Sequence, residues 1–305
     1  MTPLKLSGII PATVLPMDES FRICEGELED YIRWLMKFRV GGLAVNVDTG
    51  EGPHLYPEER RRVLEIVTDV VKGRVPVVAG LAASFTDQAV RLAREAKEAG
   101  ADALLVFPIP AFRGPRARGV ICHYYRAVAE GAGIDLVAFQ LQPELGGVIF
   151  DEETLAALAS IERVVALKEA SFDARVFSDT MRVLRRAERR VALLTGNDNF
   201  ILESLIMGAD GALIGFGTVA TDLQVEMFDL VKRRRYEEAW EIYERLKPLA
   251  DAIFAPPVRN YRARLKEALA ALGVIEHTYV RPPLLPISEE EREAVRRALR
   301  EAGLL

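Results

Sequence analysis

The chain has 305 residues, of which 50% are hydrophobic and 28% are charged, enough for one large buried core or two ordinary ones. The formal net charge of -5 supplies no overall basic field, so we expect neither nucleic-acid binding nor attachment to an anionic membrane. Cys24 and Cys122 occur without a CxxC or Cys/His ligand spacing, which predicts no disulfide framework and no structural zinc. With no signal-peptide pattern and no apolar stretch of membrane length, we expect a globular protein of the cytoplasm.

Short apolar runs with strand character alternate with longer segments of helical periodicity. The predicted strands are residues 8–13, 42–47, 75–80, 103–107, 136–140, 164–168, 191–195 and 212–215. The clearest helical segments between them are residues 27–37, 57–71, 86–99, 151–160 and 173–186. Eight strand–helix units predict an α/β fold of the (β/α)8 TIM barrel type. A doubly wound open sheet is the alternative, but no GxGxxG motif follows the first strand.

After the eighth unit the alternation stops and only helical patterns follow. They cover residues 236–249, 261–272 and 288–301, with an extended Pro-rich connector at 281–286. Ser288 and the three acids after it are typical of a helix N-terminus. We therefore predict a barrel domain over residues 1–233 and a C-terminal helical region over residues 234–305.

Lys168 closes the apolar run of the sixth predicted strand, a position that is normally buried in a parallel sheet. Active sites of TIM barrels lie where the strands end, which places this amine at the catalytic mouth. Burial disfavours the ammonium form, so such a lysine can attack a carbonyl group and form a Schiff base. The alternative is a structural lysine that reaches solvent or pairs with a carboxylate.

The segment Asp48-Thr49-Gly50-Glu51 follows the second predicted strand and supplies the next candidates. Its hydroxyl and consecutive backbone N–H groups could bind a substrate carboxylate, although an ordinary turn has the same composition. We expect Asp48 and Thr49 to act in catalysis with Lys168, and Gly50 and Glu51 to contact substrate. Glu51 could instead fix the loop, and the nearby His54 is a weaker acid–base candidate.

Other predicted strand ends supply further candidates for substrate binding, namely Phe139, Gln140, Gly196 and Ile214. The stretch Gly215-Phe216-Gly217-Thr218 could hold a phosphate or could simply form a tight turn. No group of His, Asp and Glu residues has a recognisable ligand spacing, so we expect no metal. No cofactor is expected either.

Four segments resemble the dihydrodipicolinate synthase and N-acetylneuraminate lyase family of class I, pyruvate-type aldolases. They are the opening segment 8–17, the Asp48-Thr49-Gly50-Glu51 motif, the strand 165–170 and the tail 280–286. The Asp48 motif is similar to the family's Gly-Thr-Thr-Gly-Glu signature, with Asp in place of the first Thr. The resemblance covers nearly the whole chain and implies a Schiff-base role for Lys168. It also implies a homo-oligomer, a tetramer or a dimer.

The chain departs from the family pattern after the fifth strand. Where the family has a catalytic Tyr in a Tyr-Asn-x-Pro context, this sequence reads Phe139-Gln140-Leu141-Gln142-Pro143. Neither Phe139 nor Gln140 can accept and return a proton as a phenol does. The usual Tyr-Tyr after the fourth strand is Ile109-Pro110, and the Arg after the fifth-strand motif is Glu144 or Leu145. The proton relay of the synthases is therefore missing from its usual positions.

These observations predict a lyase that forms a Schiff base through Lys168 with a small-molecule 2-keto acid, for which a sugar-derived keto acid is one candidate. Either an aldol cleavage or a dehydration could follow from the same intermediate. The alternatives are a synthase-like condensation with an altered proton relay and a barrel that binds keto acids without catalysis. A phosphate-sugar isomerase would depend on the Gly215 loop alone.

Overall fold

The computed structural model describes residues 4–114 and 117–305. Eight parallel strands form one sheet, and the bridge between Ala12 and Ala44 joins its two edge strands. The strands are β1 (Gly8–Pro11), β2 (Leu43–Val45), β3 (Val77–Leu81), β4 (Ala103–Val106), β5 (Asp135–Leu141), β6 (Val164–Ala170), β7 (Ala192–Thr195) and β8 (Gly211–Ile214). This closure confirms the predicted (β/α)8 barrel and excludes the open doubly wound sheet.

Helices cover the outside of the barrel in the predicted alternation. They are α1 (Glu25–Leu35), α2 (Pro57–Val71), α3 (Thr86–Glu98), α4 (Arg118–Ala132), α5 (Glu152–Ala159), α6 (Ala174–Arg186), α7 (Ile201–Met207) and α8 (Thr221–Lys232). The bounds of α2 are those predicted. Pro57 occupies its first position, and the Glu59 carboxylate accepts the backbone N–H of Tyr56 at 2.8 Å.

Side chains of each strand alternate between the barrel interior and the layer under the helices. The interior is filled mainly by Val, Leu and Ala, including Val137, Ala166 and Leu213. The neighbouring residues Ala138 and Leu167 pack outward in the larger layer between strands and helices. Any residue on a strand can therefore be assigned to the interior or the outer layer by its parity.

Two strands differ from the predicted bounds in ways that concern the site. β6 continues to Ala170, so that Lys168 lies inside the strand rather than at its end. β2 is shorter than predicted because Asn46, with φ of 55°, adopts the left-handed conformation and turns the chain away from the sheet. The loop that begins there carries Asp48 and Thr49.

Three helices follow the barrel: α9 (Tyr236–Ile253), α10 (Tyr261–Ala271) and α11 (Glu289–Glu301). The predicted start of α11 is confirmed, since Ser288 Oγ accepts the Glu291 N–H at 3.2 Å and the Glu291 carboxylate accepts the Ser288 N–H at 2.9 Å. The N-terminal part of α10 lies over the loop after β2. Among the described residues, no helix combines the length and apolarity needed to cross a membrane.

Candidate active site

A cavity of about 310 Å³ opens where the strands end. Lys168, Thr49 and Asp198 line it from the barrel, and Tyr261 and Arg262 line it from α10. A wider groove of about 930 Å³ lies between α4 and the segment before α5, and Lys168 does not line it. The charged and hydroxyl-bearing groups predicted to act in chemistry therefore converge on the smaller cavity.

Lys168 projects into the barrel interior, with the same parity as Ala166 and Ala170, and is 9% exposed. Its Nζ lies 4.6 Å from the centre of the Phe139 ring and has no hydrogen-bond partner among residues 4–114 and 117–305. Gly196 provides room for it, since a Cβ there would lie 2.5 Å from Lys168 Cε. The amine is thus buried without being paired.

Two carboxylates set the charge around this amine. Burial lowers the pKa of Lys168 below its ordinary value, while the negative charges of Asp198 and Asp48 offset part of that effect. Burial likewise raises the pKa of Asp198 to about 6, against the opposing effects of the Phe216 N–H and the Lys168 charge. This N–H donates to Asp198 Oδ1 at 3.1 Å. A lysine with a lowered pKa presents more free amine at neutral pH.

The register between β5 and β6 separates Phe139 from Gln140. Phe139 pairs with Lys168 and Gln140 with Glu169, so that the first pair faces the interior and the second faces outward. Gln140 Nε2 donates to Glu169 Oε1 at 3.2 Å and to Thr180 Oγ1 at 2.9 Å. The side chain of Gln140 is therefore engaged under α6, and the expectation that both residues face the substrate needs correction for Gln140. Adjacent strand residues cannot both face one cavity.

The loop after β2 is held by the first turn of α10. The Tyr261 hydroxyl donates to Asp48 Oδ2 at 2.7 Å and lies 3.3 Å from Thr49 Oγ1. Arg262 forms an ion pair with Asp48 and donates from Nε to its carbonyl oxygen at 2.8 Å. Burial disfavours the Asp48 carboxylate, but Arg262 and Tyr261 outweigh that effect and lower the pKa of Asp48. Asp48 is therefore ionised and fixed in place.

Glu51 lies in the same loop but away from the cavity. Its backbone is left-handed, with φ of 56°, and its carboxylate is fully buried. Lys266 Nζ donates to Glu51 Oε1 at 2.6 Å, and the Arg281 N–H donates to Oε2 at 2.7 Å. Both carboxylate oxygens thus join the loop to the C-terminal region, as expected from the structural interpretation of Glu51. The substrate-contact interpretation has no support in this geometry.

Three further predicted residues differ in their placement. Gly196 lines the cavity, whereas Gly50 and Ile214 do not. Ile214 has the outward parity of Ala212 and packs under the helices, because the strand period places every second residue there. At Gly50 a Cβ would lie 2.7 Å from the Thr13 carbonyl oxygen, so this glycine permits close packing of two backbones.

Gly215, the residue after β8, lines the cavity together with Thr49 and Tyr261. A Cβ at Gly215 would lie 3.1 Å from Thr49 Oγ1 and 3.3 Å from Tyr261 Cε2. Its missing side chain lets these two groups approach each other. In the turn that follows, the Thr218 hydroxyl donates to the Gly215 carbonyl at 2.9 Å. This bond is typical of a tight turn.

Outside this cavity, Cys24, Glu27 and His277 bring potential metal-ligand atoms within 4.8 Å of one another. Glu27 Oε2 lies 2.7 Å from His277 Nδ1, and Oε1 accepts the His277 N–H at 3.0 Å. The carboxylate thus connects α1 to the segment after α10 through both oxygens. The expectation of a metal-free protein stays a prediction.

Sequence reasoning missed Tyr261 and Arg262. The rule that selects strand-end residues does reach Asp198 in the Gly196-Asn197-Asp198 segment after the seventh strand, but the sequence indicated no role for its carboxyl group. Tyr261 and Arg262 carry no such signal, because they begin a helix outside the barrel pattern. Only the packing of α10 against the loop after β2 brings them to the cavity.

The fold is a (β/α)8 barrel whose mouth holds a buried lysine without a hydrogen-bond partner among the described residues, an arrangement compatible with Schiff-base chemistry. Residues 5–302 match the model of the dihydrodipicolinate synthetase family. The chain belongs to this family, which consists of class I lyases and synthases. The resemblance seen in the sequence is thereby confirmed.

Two curated relatives cover almost the whole chain. The 4-hydroxy-tetrahydrodipicolinate synthase of Syntrophus aciditrophicus is 34% identical, with 98% of this chain and 99% of the relative aligned. The enzyme of the same name from Methanopyrus kandleri is 32% identical, with 99% and 98% aligned. The present chain is therefore similar to these synthases along almost its whole length.

Solved structures agree with this assignment. The dihydrodipicolinate synthase of Thermotoga maritima has a TM-score of 0.90 at 27% identity, covering 98% of this chain and 99% of that one. The chloride-inhibited dihydrodipicolinate synthase of Acinetobacter baumannii, complexed with pyruvate, has a TM-score of 0.87 at 26% identity. That comparison covers 99% of this chain and all of the other, 100%.

Proposed function

We propose that the protein is a class I lyase or synthase that forms a Schiff base between Lys168 and a 2-keto acid. The observation that carries this proposal is the Lys168 amine, which is buried, unpaired among the described residues and adjacent to a cavity. Its lowered pKa favours the nucleophilic free amine. The pyruvate complex of the related Acinetobacter baumannii structure supports a 2-keto acid as the ligand class.

The chemistry would proceed at the C2 carbonyl of the substrate. The Lys168 nitrogen adds to C2, and loss of one water leaves a protonated imine. This cation accepts the electron pair of a breaking C3–H or C3–C4 bond and becomes an enamine. In the elimination, the C4 hydroxide leaves and combines with the proton removed from C3 as water. In the cleavage, the C4 hydroxyl gives up its proton as the aldehyde leaves, and one proton is then added at C3. Hydrolysis with one water then frees the keto acid and the amine.

A condensation is the second candidate, and the full-length similarity to 4-hydroxy-tetrahydrodipicolinate synthases favours it. In that case the pyruvate enamine attacks an aldehyde carbon and forms the C–C bond that a lyase would break. The first intermediate on Lys168 is common to both directions. The products formed from pyruvate with a panel of aldehydes, and from longer keto acids alone, distinguish the two.

The proposal that the substrate is sugar-derived has less support than the proposal that Lys168 forms a Schiff base. Gln140, which the sequence predicts to bind substrate, is instead bonded through its side chain to Glu169 and Thr180 under α6. Non-catalytic binding of a keto acid is a third reading. It predicts that pyruvate raises the melting temperature while no member of a keto-acid panel is converted.

Reduction with borohydride in the presence of pyruvate tests the proposal. We expect a stable adduct on the peptide that contains Lys168, and its complete loss in Lys168→Ala. The rate of turnover should fall by roughly 10⁶-fold, the order of loss when a covalent nucleophile is removed. Lys247→Ala, which changes a partly exposed lysine of α9, serves as the matched control and should trap pyruvate as the wild type does.

Absence of an adduct with pyruvate and with longer 2-keto acids would sink the proposal. An adduct on another lysine that persists in Lys168→Ala would do the same. Trapping without turnover of any keto acid or aldehyde pair would instead leave a binding protein.

A further inference from the structure

No phenol lies at the end of β5, but another part of the chain contributes a phenol to the same cavity. Phe139 occupies the interior position beside Lys168, and its hydrocarbon ring can neither donate nor accept a proton. Tyr261, the first residue of α10, lines the cavity with Lys168. A proton carrier of the ordinary chemical type is therefore present, but it comes from the C-terminal helical region.

Several contacts hold this phenol in place. Its ring stacks on Phe254, with 5.4 Å between centroids and 22° between planes. Its hydroxyl donates to Asp48 and lies 3.3 Å from Thr49 Oγ1. Gly215 leaves the space in which the hydroxyls of Thr49 and Tyr261 meet. The orientation of the phenol is thus set by the ring on one side and by polar groups on the other.

We propose that Tyr261 is the catalytic residue that moves protons to and from the intermediates on Lys168. This inference rests on the proposed Schiff-base function and specifies which group serves it. Asp48 and Thr49 are positioning residues for the phenol.

Tyr261 alone can supply and remove the protons that imine and enamine formation require. When the carbinolamine on Lys168 expels its hydroxyl, the Tyr261 O–H supplies the proton and one water leaves. The imine cation and the Tyr261 phenolate remain as an ion pair. The phenolate then removes a proton from C3, the electron pair of the C3–H bond moves into the C2–C3 double bond, and the neutral enamine and phenol result. No outside oxidant or reductant is needed.

The charges around Tyr261 suit this cycle. Burial and the negative charge of Asp48 raise its pKa well above the ordinary value, so the hydroxyl is protonated in the resting enzyme. A phenolate formed beside a new cation is correspondingly a strong base. Arg262, whose guanidinium lies 5.0 Å from the ring centre, adds a second positive charge.

Several other acid–base candidates are paired with a positively charged side chain or do not line the cavity. Asp48 is paired with Arg262, and Glu51 is paired with Lys266. His54 does not line the cavity. Asp198 and Glu144 are the competing carboxyl groups, since both line the cavity, and the pKa of Asp198 is raised to about 6. The experiment must therefore separate Tyr261 from these carboxyl groups.

Exchange of the pyruvate methyl protons in D2O, followed by proton NMR, measures C3 proton transfer without knowledge of the second substrate. In Tyr261→Phe the ring and its stacking stay while the hydroxyl is lost. We expect exchange to fall by about 10²–10⁴-fold, the range for loss of a general acid–base group. Borohydride should still trap the Lys168 adduct at long times, and the Kd for pyruvate should change by less than about threefold, since the role is kinetic.

Tyr236→Phe is the matched control, because Tyr236 begins α9 and its ring is 42% exposed. It should exchange pyruvate protons at the wild-type rate. Melting temperatures of both variants show whether each is folded.

Wild-type exchange in a folded Tyr261→Phe variant overturns the inference, and so does loss of pyruvate binding by the same factor as exchange. Full exchange in Tyr261→Phe together with a large loss in Asp198→Asn would assign proton transfer to Asp198. If the wild type neither traps nor exchanges pyruvate, the proposed function and this inference both fail. Wild-type trapping with unaffected Tyr261→Phe exchange removes this inference alone.

Discussion

Two buried lysines in this protein have opposite surroundings. Lys266 is fully buried on α10, pairs with the equally buried Glu51, and donates to the Tyr279 carbonyl at 2.5 Å. Lys168 is buried on β6, faces the Phe139 ring, and has no hydrogen-bond acceptor within the described ranges. Burial lowers the pKa of both amines, but only for Lys266 does a directly bonded carboxylate oppose it.

This difference indicates what makes a lysine available for chemistry. A buried ammonium that is hydrogen-bonded to a carboxylate has a partner for its charge, and removal of either group leaves the other charge buried and uncompensated. A buried amine beside a cavity can lose its proton and use its lone pair. Burial alone therefore does not identify a nucleophile, and the partner of the amine decides the outcome.

Replacement of each lysine by Met should show the difference between the two lysines most clearly, through the free energy of unfolding. Lys266→Met leaves the Glu51 carboxylate buried without its partner, which should cost about 3–5 kcal/mol of unfolding free energy. Lys168→Met should leave stability unchanged or raise it, because a desolvated amine is removed. Urea unfolding followed by circular dichroism measures both.

A second change controls for the buried charge. In the Lys266→Met background, Glu51→Gln removes the unpaired carboxylate and should restore part of the lost stability. Equal losses in the two single Met variants would contradict the proposed difference between the lysines.

Asp198, whose charge has a larger effect than that of Asp48 on the pKa of Lys168, should make the stability of the protein depend on pH. Its pKa is raised from an ordinary 3.8 to about 6, so the native state keeps its proton to higher pH than the unfolded chain does. Stability is therefore lost as pH rises from about 4 to about 6, and the loss is complete above that window. Asp198→Asn should remove it and gain up to roughly 3 kcal/mol at pH 8.

The matched measurement is the same variant at pH 3.5, where Asp198 is mostly protonated in both states and the gain should nearly vanish. A gain of equal size at both pH values would mean that packing, and not ionisation, causes it. Unfolding free energies from urea titrations at several pH values supply these differences.

The smallest expected effect concerns the space around Lys168. In Gly196→Ala the new Cβ would lie 2.5 Å from Lys168 Cε, so the flexible chain of Lys168 must move. We expect borohydride trapping of pyruvate to slow by about tenfold, equivalent to about 1.4 kcal/mol. Gly26→Ala in α1, whose Cβ would meet no atom of the described residues within 4 Å, should trap at the wild-type rate. An unchanged rate in Gly196→Ala would show that Lys168 does not depend on this space.

The barrel could be predicted because its signal is local and repeated. The period of its apolar residues predicts each strand and each helix separately. Eight consecutive strand–helix units are then compatible with only a few topologies. The bounds of β6 were less accessible, because Glu169 interrupts the apolar run although it is buried and bonded to Gln140, Ser171 and Asn197. A carboxyl group satisfied by three partners is compatible with a strand interior.

The site was predictable only where strand order determines it. Lys168, Phe139 and Gly196 could be placed near one another because neighbouring parallel strands end at the same mouth. The parity of Gln140 and Ile214 was also present in the sequence, since each follows an interior residue by one position. Both side chains face away from the cavity, because adjacent residues of a strand face opposite sides of the sheet.

The sequence by itself determined the barrel, the family and the buried amine of Lys168, since these depend on periodicity and on motifs of a few adjacent residues. The tertiary structure decided which lysine is paired and which phenol reaches the cavity. Tyr261 and Asp48 are separated by 213 positions and meet only because α10 packs over the loop after β2. No local sequence pattern encodes this contact, because it results from the packing of whole elements against one another.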